Sequence, residues 1–186
     1  MRNRYGNGIS VVRYRPEWEH QARDVVVALM SILQGIQVEA IEHVGSTSVP
    51  GLAAKPILDI DIIVQRRTMT SAITALERAG YVHHGDLGLT DREAFEAPDE
   101  DPARNVYLCV ADTLHVRNHL AVRDTLRRHL DLRNRYGQVK LALARELGMR
   151  IDRYLAGKSA ILQDILALSD LTAQEKQTIL DVNTSA

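Results

Sequence analysis

The segment that most constrains the fold is residues 57–64, which read ILDIDIIV. Its length and its β-branched apolar residues predict a buried strand, interrupted only by Asp59 and Asp61. Alternate residues of a strand point to the same face, so both carboxylates are expected to project together. Burying two like charges costs on the order of several kcal/mol unless a partner compensates them. Mg²⁺ suits this pair, since it usually binds through one or two carboxylates plus phosphates and water.

A polar loop precedes this strand and follows a predicted strand at residues 38–44. It begins with Gly45, Ser46, Thr47 and Ser48. The glycine permits a positive φ or a close backbone approach, and the hydroxyl and amide groups can bind a phosphate. Lys55 would add a positive charge. Each feature has an ordinary alternative: a Gly-Ser-Thr-Ser run is usually a loop, an Asp-x-Asp often ends a solvated strand, and a lone lysine is usually on the surface. The three features in this order nevertheless predict a phosphate and metal site.

The remaining pattern mixes strands and helices first and contains only helices later. Helical periodicity covers residues 17–33 and 68–79, and short strands are predicted at 11–14, 81–84, 106–110 and 114–116. From residue 119 onward only helices are expected, at 119–132, 135–147, 150–156 and 158–168, with a last one after Thr172, where Glu175 completes a capping box. The fold class is therefore α+β with a helical C-terminal third. Residues 1–186 are interpreted as a single domain, with residues 1–10 as a loose N-terminus.

Composition narrows the classes of function. The chain has 186 residues, of which 45% are apolar and 25% charged, and its net charge is -1. That balance gives no electrostatic reason to expect nucleic acid as a partner. No apolar run reaches membrane-spanning length, so no membrane association and a cytoplasmic location are expected. Cys109 is the single cysteine, and its apolar surroundings predict a buried, inert thiol.

Several motifs resemble a known family. Val44-Gly45-Ser46, followed after residues 47–58 by Asp59-Ile60-Asp61-Ile62, resembles the signature of the nucleotidyltransferase superfamily. More narrowly, EHVGSTSVPGLAAKPILDI resembles the GrpB family, which is also found fused to dephospho-CoA kinase in some bacteria. Further similarity lies at YRPEW (14–18), HGD (84–86) with REAF (92–95), and RNHL (117–120) with RD (123–124). The resemblance implies a nucleotidyltransferase-like mixed β-sheet with flanking helices.

The resemblance also adds candidate site residues. Arg92 is a candidate for phosphate binding, although a surface ion pair is an equally good interpretation. His119 and Arg123 lie four residues apart on one predicted helix face, near a helix start that would attract a second phosphate or an acceptor. The alternative is that Asn118 caps this helix and Asp124 pairs with Arg127 or Arg128. His43 is interpreted either as a general base or as an ordinary strand histidine.

One departure from the superfamily pattern concerns a third acid. Active polymerase-type nucleotidyltransferases commonly carry it on a later strand, yet the matching residues 106–110 contain none. Asn105 stands at the start of this strand, and Asp112 follows its end, where a turn residue is the better interpretation. Three interpretations stay open: Mg²⁺ held by two carboxylates plus another ligand, an altered reaction, or loss of catalysis.

These observations lead to three hypotheses. The first is an Mg²⁺-dependent nucleotidyltransferase that uses a nucleoside triphosphate (NTP) and an unknown acceptor. The second is a non-catalytic module that binds a nucleotide or a coenzyme A precursor and assists a kinase partner. The third is a folding-accessory or interaction domain, and a homodimer is compatible with all three.

Overall fold

The computed structural model describes the backbone of residues 10–185 and the side chains of residues 10–180. The loose start predicted at residues 1–10 therefore lies outside the described residues, apart from Ser10. The chain forms two compact units. The first contains Pro16–Val44 and Ile57–Val116; the second contains the described residues up to Arg15, then Gly45–Pro56 and Arg117–Ala186. The single-domain interpretation stays a prediction.

The first unit is built on a five-stranded mixed sheet. Its strands are β1 (Val38–Val44), β2 (Leu58–Val64), β3 (Val82–His83), β4 (Arg92–Glu96) and β5 (Arg104–Val110). Their order across the sheet is β1-β2-β5-β4-β3. The central strands β2 and β5 run parallel, and the other pairs are antiparallel. This arrangement confirms the mixed sheet that the family resemblance implies.

Two helices flank this sheet. Helix α1 (Glu17–Ile32) contacts β1 and β2, and helix α2 (Met69–Arg78) contacts β3 and β5. The apolar positions of the central strands are completely buried: Ile60, Ile62, Val106 and Leu108. Each such burial contributes roughly 1.5–3 kcal/mol, which makes these two strands the core of the unit. Strand β4 is not predicted by the sequence, because three of the five residues in REAFE are charged.

The second unit is helical. It contains most of α3 (Leu114–Arg128), together with α4 (Leu130–Arg145), α5 (Ile151–Gly157), α6 (Ser159–Ala167) and α7 (Ala173–Ser185). The predicted helical C-terminal third is therefore confirmed. Its core joins Val49 and Leu52 of the segment Gly45–Pro56 to side chains of α3, α4 and α6: Leu126, Leu132, Tyr136, Ile161 and Ile165.

Local predictions at the ends of this unit differ in outcome. The capping box before α7 is confirmed, because the Thr172 amide donates to Glu175 Oε2 at 2.8 Å and the Glu175 amide donates to Thr172 Oγ1 at 3.3 Å. The predicted strand at residues 114–116 and the helix start at residue 119 are wrong, since α3 already begins at Leu114. None of the helices within residues 10–185 is long and apolar enough to cross a membrane.

Candidate functional site

Asp59 and Asp61 lie two residues apart in β2 and therefore share one face of the sheet. Asp61 has 0% of its surface exposed, and Asp59 is half-buried. Regular pairing on both sides, with β1 and with β5, fixes the direction of both side chains. Because a buried carboxylate loses its hydration, the fold keeps these groups at a cost that suggests a functional reason.

The strand register shows what surrounds the two carboxylates. Asp59 is paired with Asn105 and Asp61 with Tyr107 on β5, while Glu42 on β1 is opposite Asp61. On β4, Glu96 is opposite Asn105 and Arg92 is opposite Cys109. Paired residues point to the same side of a sheet. We call the set formed by Glu42, Asp59, Asp61, Arg92, Glu96, Asn105 and Tyr107 the carboxylate face.

Asn105 lies on β5, the strand on which a third acid is expected, directly opposite Asp59. It lies inside β5, and its Nδ2 donates a hydrogen bond to Asp59 Oδ1 at 2.8 Å. Asp112 lies past the end of β5 in a turn with a φ of 62° and is exposed, which confirms its interpretation as a turn residue. The position next to Asp59 thus carries a neutral amide, which stabilises the Asp59 carboxylate, whereas a third carboxylate there would repel it.

Arg92 is also on the carboxylate face. Its guanidinium carbon lies 4.7 Å from the centroid of the Tyr107 ring, a distance typical of a cation–π contact. The ion pairs of residues 10–180 do not include Arg92, and the neighbouring Glu93 pairs with His83 at 2.7 Å. The surface ion pair that was the alternative for Arg92 is therefore not present, and its positive charge lies on the same face as Asp61.

Cys109 is a buried thiol close to Asp61 and Arg92. Burial, and then the negative charge of Asp61, raises the pKa of the Cys109 thiol well above its ordinary value, while Arg92 lowers it in part. The thiol is completely buried, as the sequence predicts. It is therefore protonated and unreactive at neutral pH.

The glycine-serine loop belongs to the second unit. Gly45 has a φ of 69°, and Ser46–Ser48 form one turn of 3₁₀ helix. The Ser48 hydroxyl donates to the Gly45 carbonyl at 2.7 Å, and both Thr47 and Ser48 are buried. Ser46 is the half-buried hydroxyl of this turn. Of the three hydroxyls, Ser46 is therefore the one best placed to reach a ligand.

Arg127 holds this loop in place, a role that the sequence does not reveal. Its Nε and Nη2 donate to the Ser48 carbonyl at 3.1 and 2.7 Å across 79 positions of sequence. The expected partner, Asp124, lies 4.0 Å from Arg127 and pairs more closely with Arg123, at 2.7 Å. No local pattern could have identified a contact that depends on how α3 is packed.

The other predicted residues are distributed as follows. Lys55 lies 5.0 Å from the Tyr154 ring centroid. His119 and Arg123 lie within α3 and not at its start, so their expected contribution to an anion site at a helix N-terminus is not supported. His43 pairs with Ile60, so it lies on the opposite face of the sheet from Asp59 and Asp61. This position argues against His43 as a general base beside them.

The candidate residues are divided between the two units. The first unit brings Asp59, Asp61 and Arg92 onto one face, and the second contains the loop, Lys55, His119 and Arg123.

The donor set for a metal consists of two carboxylates. Within residues 10–180 no group of three or more His, Cys, Asp or Glu side chains is placed to hold a metal ion. Such a pair is sufficient for Mg²⁺, which completes its six ligands with water and substrate phosphates. The complete burial of Asp61 fits this ion, because a divalent charge offsets the cost of burying the carboxylate.

Comparison with solved structures shows the fold. A crystal structure of the conserved protein GrpB from Enterococcus faecalis has a TM-score of 0.74 and 31% identity, covering 91% of this chain and 99% of that chain. The Cid1 poly(U) polymerase with MgGTP bound has a TM-score of 0.51 and 14% identity, over 69% of this chain and 43% of that chain. The GLD-2/RNP-8 complex has a TM-score of 0.53 and 15% identity, over 83% of this chain and 60% of that chain. These likenesses confirm the nucleotidyltransferase-like fold.

Sequence comparison identifies the family. A UPF0157 protein of Halalkalibacterium halodurans is 32% identical over 166 residues, which cover 88% of this chain and 84% of the relative. A protein of Mycolicibacterium paratuberculosis named dephospho-CoA kinase is 27% identical over 175 residues, and the match spans 43% of its length. The sequence model described as GrpB protein matches residues 8–168. Since this match covers most of the chain, the protein belongs to the GrpB family.

Proposed function

We propose that the protein is an Mg²⁺-dependent nucleotidyltransferase that transfers a nucleotidyl group from an NTP to an acceptor that is not yet known. The observation that carries this proposal is the pair Asp59 and Asp61 on one face of β2, in a fold shared with a poly(U) polymerase that was solved with MgGTP bound. A carboxylate pair of this kind is what a metal-assisted phosphoryl or nucleotidyl transfer requires.

Each predicted residue has a role in this proposal. Asp59 and Asp61 hold Mg²⁺, which when bound supplies positive charge to the phosphates and orients an attacking hydroxyl. The backbone of residues 45–48 and the Ser46 hydroxyl bind phosphate oxygens. Arg92 adds a guanidinium on the carboxylate face. Lys55, His119 and Arg123 are assigned to contacts with phosphate or acceptor, and of these Arg123 is already engaged with Asp124.

The test is a double variant, Asp59→Asn with Asp61→Asn, titrated calorimetrically with a non-hydrolysable triphosphate in the presence and absence of Mg²⁺. Each substitution keeps the shape of the side chain and removes one negative charge. We expect the metal-dependent part of binding to fall about 100-fold, or about 2.7 kcal/mol. The matched control is Asp24→Asn with Glu77→Gln, which removes two exposed helical charges. Wild-type affinity in the first double variant would refute the assignment.

The second candidate is a non-catalytic module that binds a nucleotide or a coenzyme A precursor. The observation that favours it is Asn105 at the third-acid position, hydrogen-bonded to Asp59. A relative named dephospho-CoA kinase contains a segment similar to this chain, which makes a kinase partner a reasonable choice for testing. Metal-dependent binding of triphosphates without turnover across a panel of acceptors would support the module. Recovery of a partner protein independently of nucleotide would instead support an interaction domain, and a homodimer is tested by the mass in solution.

A further inference from the structure

The second unit contains an open cleft of about 500 Å³ that neither the sequence pattern nor the family match assigns to a function. Its lining includes Arg13, Gly51, Arg133, Asn134, Gly137 and Gln138, and we call it the basic cleft. Gly51 and Ala53 lie in residues 49–56, VPGLAAKP, of which the proposed function uses only the lysine. The cleft is therefore lined in part by a stretch that the proposed function leaves largely without a role.

Backbone contacts place Arg13 at this cleft. Val12 forms an isolated antiparallel bridge with Ala54, in which the Val12 amide donates to the Ala54 carbonyl at 2.9 Å and the Ala54 amide donates back at 3.0 Å. Arg13 is the next residue and is exposed. Its position is thus set by the main chain, while its guanidinium is available to a ligand.

Arg133 approaches the same segment from α4. Its Nη1 donates to the Pro50 carbonyl at 3.0 Å, and its Nε and Nη2 donate to Asn134 Oδ1 at 3.3 and 3.2 Å. A Cβ added at Gly51 would lie 3.1 Å from the guanidinium carbon. At Gly137, one turn further along α4, an added Cβ would make only ordinary contacts, the nearest with Leu52 Cδ1 at 3.6 Å. Gly51 is thus the glycine that lets the arginine come close to the segment.

The charge of this cleft is not compensated by acids. The ion pairs of residues 10–180 include neither Arg13 nor Arg133, and no Asp or Glu lines the cleft. Nearby arginines behave differently, because Arg128 pairs with Asp170 and Arg135 with Asp164. Two guanidinium groups beside two side-chain amides form a set of donors that matches an oxyanion.

We propose that the basic cleft binds the phosphoryl group of a small molecule. A phosphoryl group carries a charge near −1.5 to −2 at neutral pH, so it matches two guanidinium groups better than a single carboxylate does. The cleft volume lies within the range of about 300–1,000 Å³ that is typical of small-molecule sites. The inference does not depend on metal binding by Asp59 and Asp61.

The experiment titrates the full chain with inorganic pyrophosphate in EDTA at low ionic strength, where metal-dependent binding is absent. Arg13→Gln removes one exposed cation of the lining. Gln138→Glu instead adds an acid at an exposed position of the lining and leaves both arginines in place. Each variant should weaken pyrophosphate binding about tenfold, as expected for the loss of one charge-assisted interaction. The controls make the same charge changes on α4, outside the lining: Arg135→Gln and Ala142→Glu should stay within about twofold of the wild type.

Unchanged affinity in both Arg13→Gln and Gln138→Glu, or no binding by the wild type, would overturn the inference. Loss of binding in Ser46→Ala but not in Arg13→Gln would place pyrophosphate on the glycine-serine loop and would also overturn it. The Asp59→Asn, Asp61→Asn double variant should bind pyrophosphate normally in EDTA, so the two proposals fail or succeed separately. A parallel titration with ATP in EDTA identifies the source of the phosphoryl group. If ATP binds more tightly than pyrophosphate and its binding depends on Arg13, the ligand is a nucleotide. If the two bind equally, the ligand is a free inorganic phosphate.

Discussion

The carboxylate pair of the first unit and the basic cleft of the second both bring like charges together, but the fold builds them differently. Asp59 and Asp61 lie two residues apart in sequence and are directed by strand periodicity, and Asp61 is completely buried. Arg13 and Arg133 come from distant parts of the chain and are brought together by contacts with residues 50–54. A local pattern can thus reveal the first cluster, whereas the second requires tertiary structure.

The largest effect is expected where the negative cluster is extended. Asn105→Asp removes the 2.8 Å hydrogen bond to Asp59 and places a third carboxylate between Asp59 and Glu96. Both changes oppose folding, so the free energy of unfolding in EDTA should fall by about 2–4 kcal/mol. Urea unfolding at pH 8 with and without Mg²⁺ measures this, and Mg²⁺ should restore part of the loss. Equal stability of variant and wild type in EDTA would show that the amide is not needed beside Asp59.

A somewhat smaller effect is expected where the geometry of the positive cluster is disturbed. Gly51→Ala combines a φ of +81° with a Cβ that would lie 3.1 Å from the Arg133 guanidinium carbon. Gly35→Ala is the matched control, since Gly35 has a φ of +82° and nothing within 4 Å of such a Cβ. In both variants, backbone strain should lower the free energy of unfolding by about 1 kcal/mol. Gly51→Ala should also weaken pyrophosphate binding. If the two variants behaved alike in both measurements, the close approach of Arg133 would have no consequence.

The burial of Cys109, together with the negative charge of Asp61, should also be visible in the pH dependence of stability. Because the pKa of Cys109 is raised in the folded chain, its stabilising contribution is complete below the pKa of the unfolded thiol, about 8.5. It is lost above that pH, since the unfolded chain releases a proton that the folded chain retains. Between about pH 9 and about pH 10, the wild type should therefore lose about 1 kcal/mol more unfolding free energy than Cys109→Ala. Parallel pH profiles for the two proteins would contradict the raised pKa.

The smallest effect is expected for Arg13→Gln without ligand. Arg13 is exposed and takes no part in the ion pairs of residues 10–180, so stability should change by less than about 0.5 kcal/mol. Thermal unfolding of this variant beside the wild type tests that expectation. A large loss would mean that Arg13 supports the fold, and a change in pyrophosphate binding could then not be interpreted as the loss of a ligand contact.

The sequence predicts the parts of the molecule that depend on neighbours along the chain. Short-range patterns predict the strand that ends at Val64 and the shared face of Asp59 and Asp61. A fixed spacing predicts the capping box of Thr172 and Glu175. Strand β4 is hidden because its charged residues interrupt the apolar signal. The start of α3 is misplaced because its first turn contains β-branched and polar residues.

The rest of the candidate site depends on strand register and helix packing. That Asn105 lies opposite Asp59, and that Arg92 lies over Tyr107, follows only once β5 is aligned with β2 and β4. The contact of Arg127 with the Ser48 carbonyl joins parts of the chain that are 79 positions apart. No single-sequence pattern encodes such distances.

The interleaving of the two units has a consequence for synthesis. The segment Gly45–Pro56 leaves the ribosome between two strands of the first unit, yet Val49 and Leu52 pack against Ile161 and Ile165 of the second. Helices α3 and α4 can cover these apolar side chains in part, but the core is complete only when α6 has been made. A chain interrupted before α6 would leave part of this apolar core open to solvent, because the segment Gly45–Pro56 would lack one of the helices that it packs against.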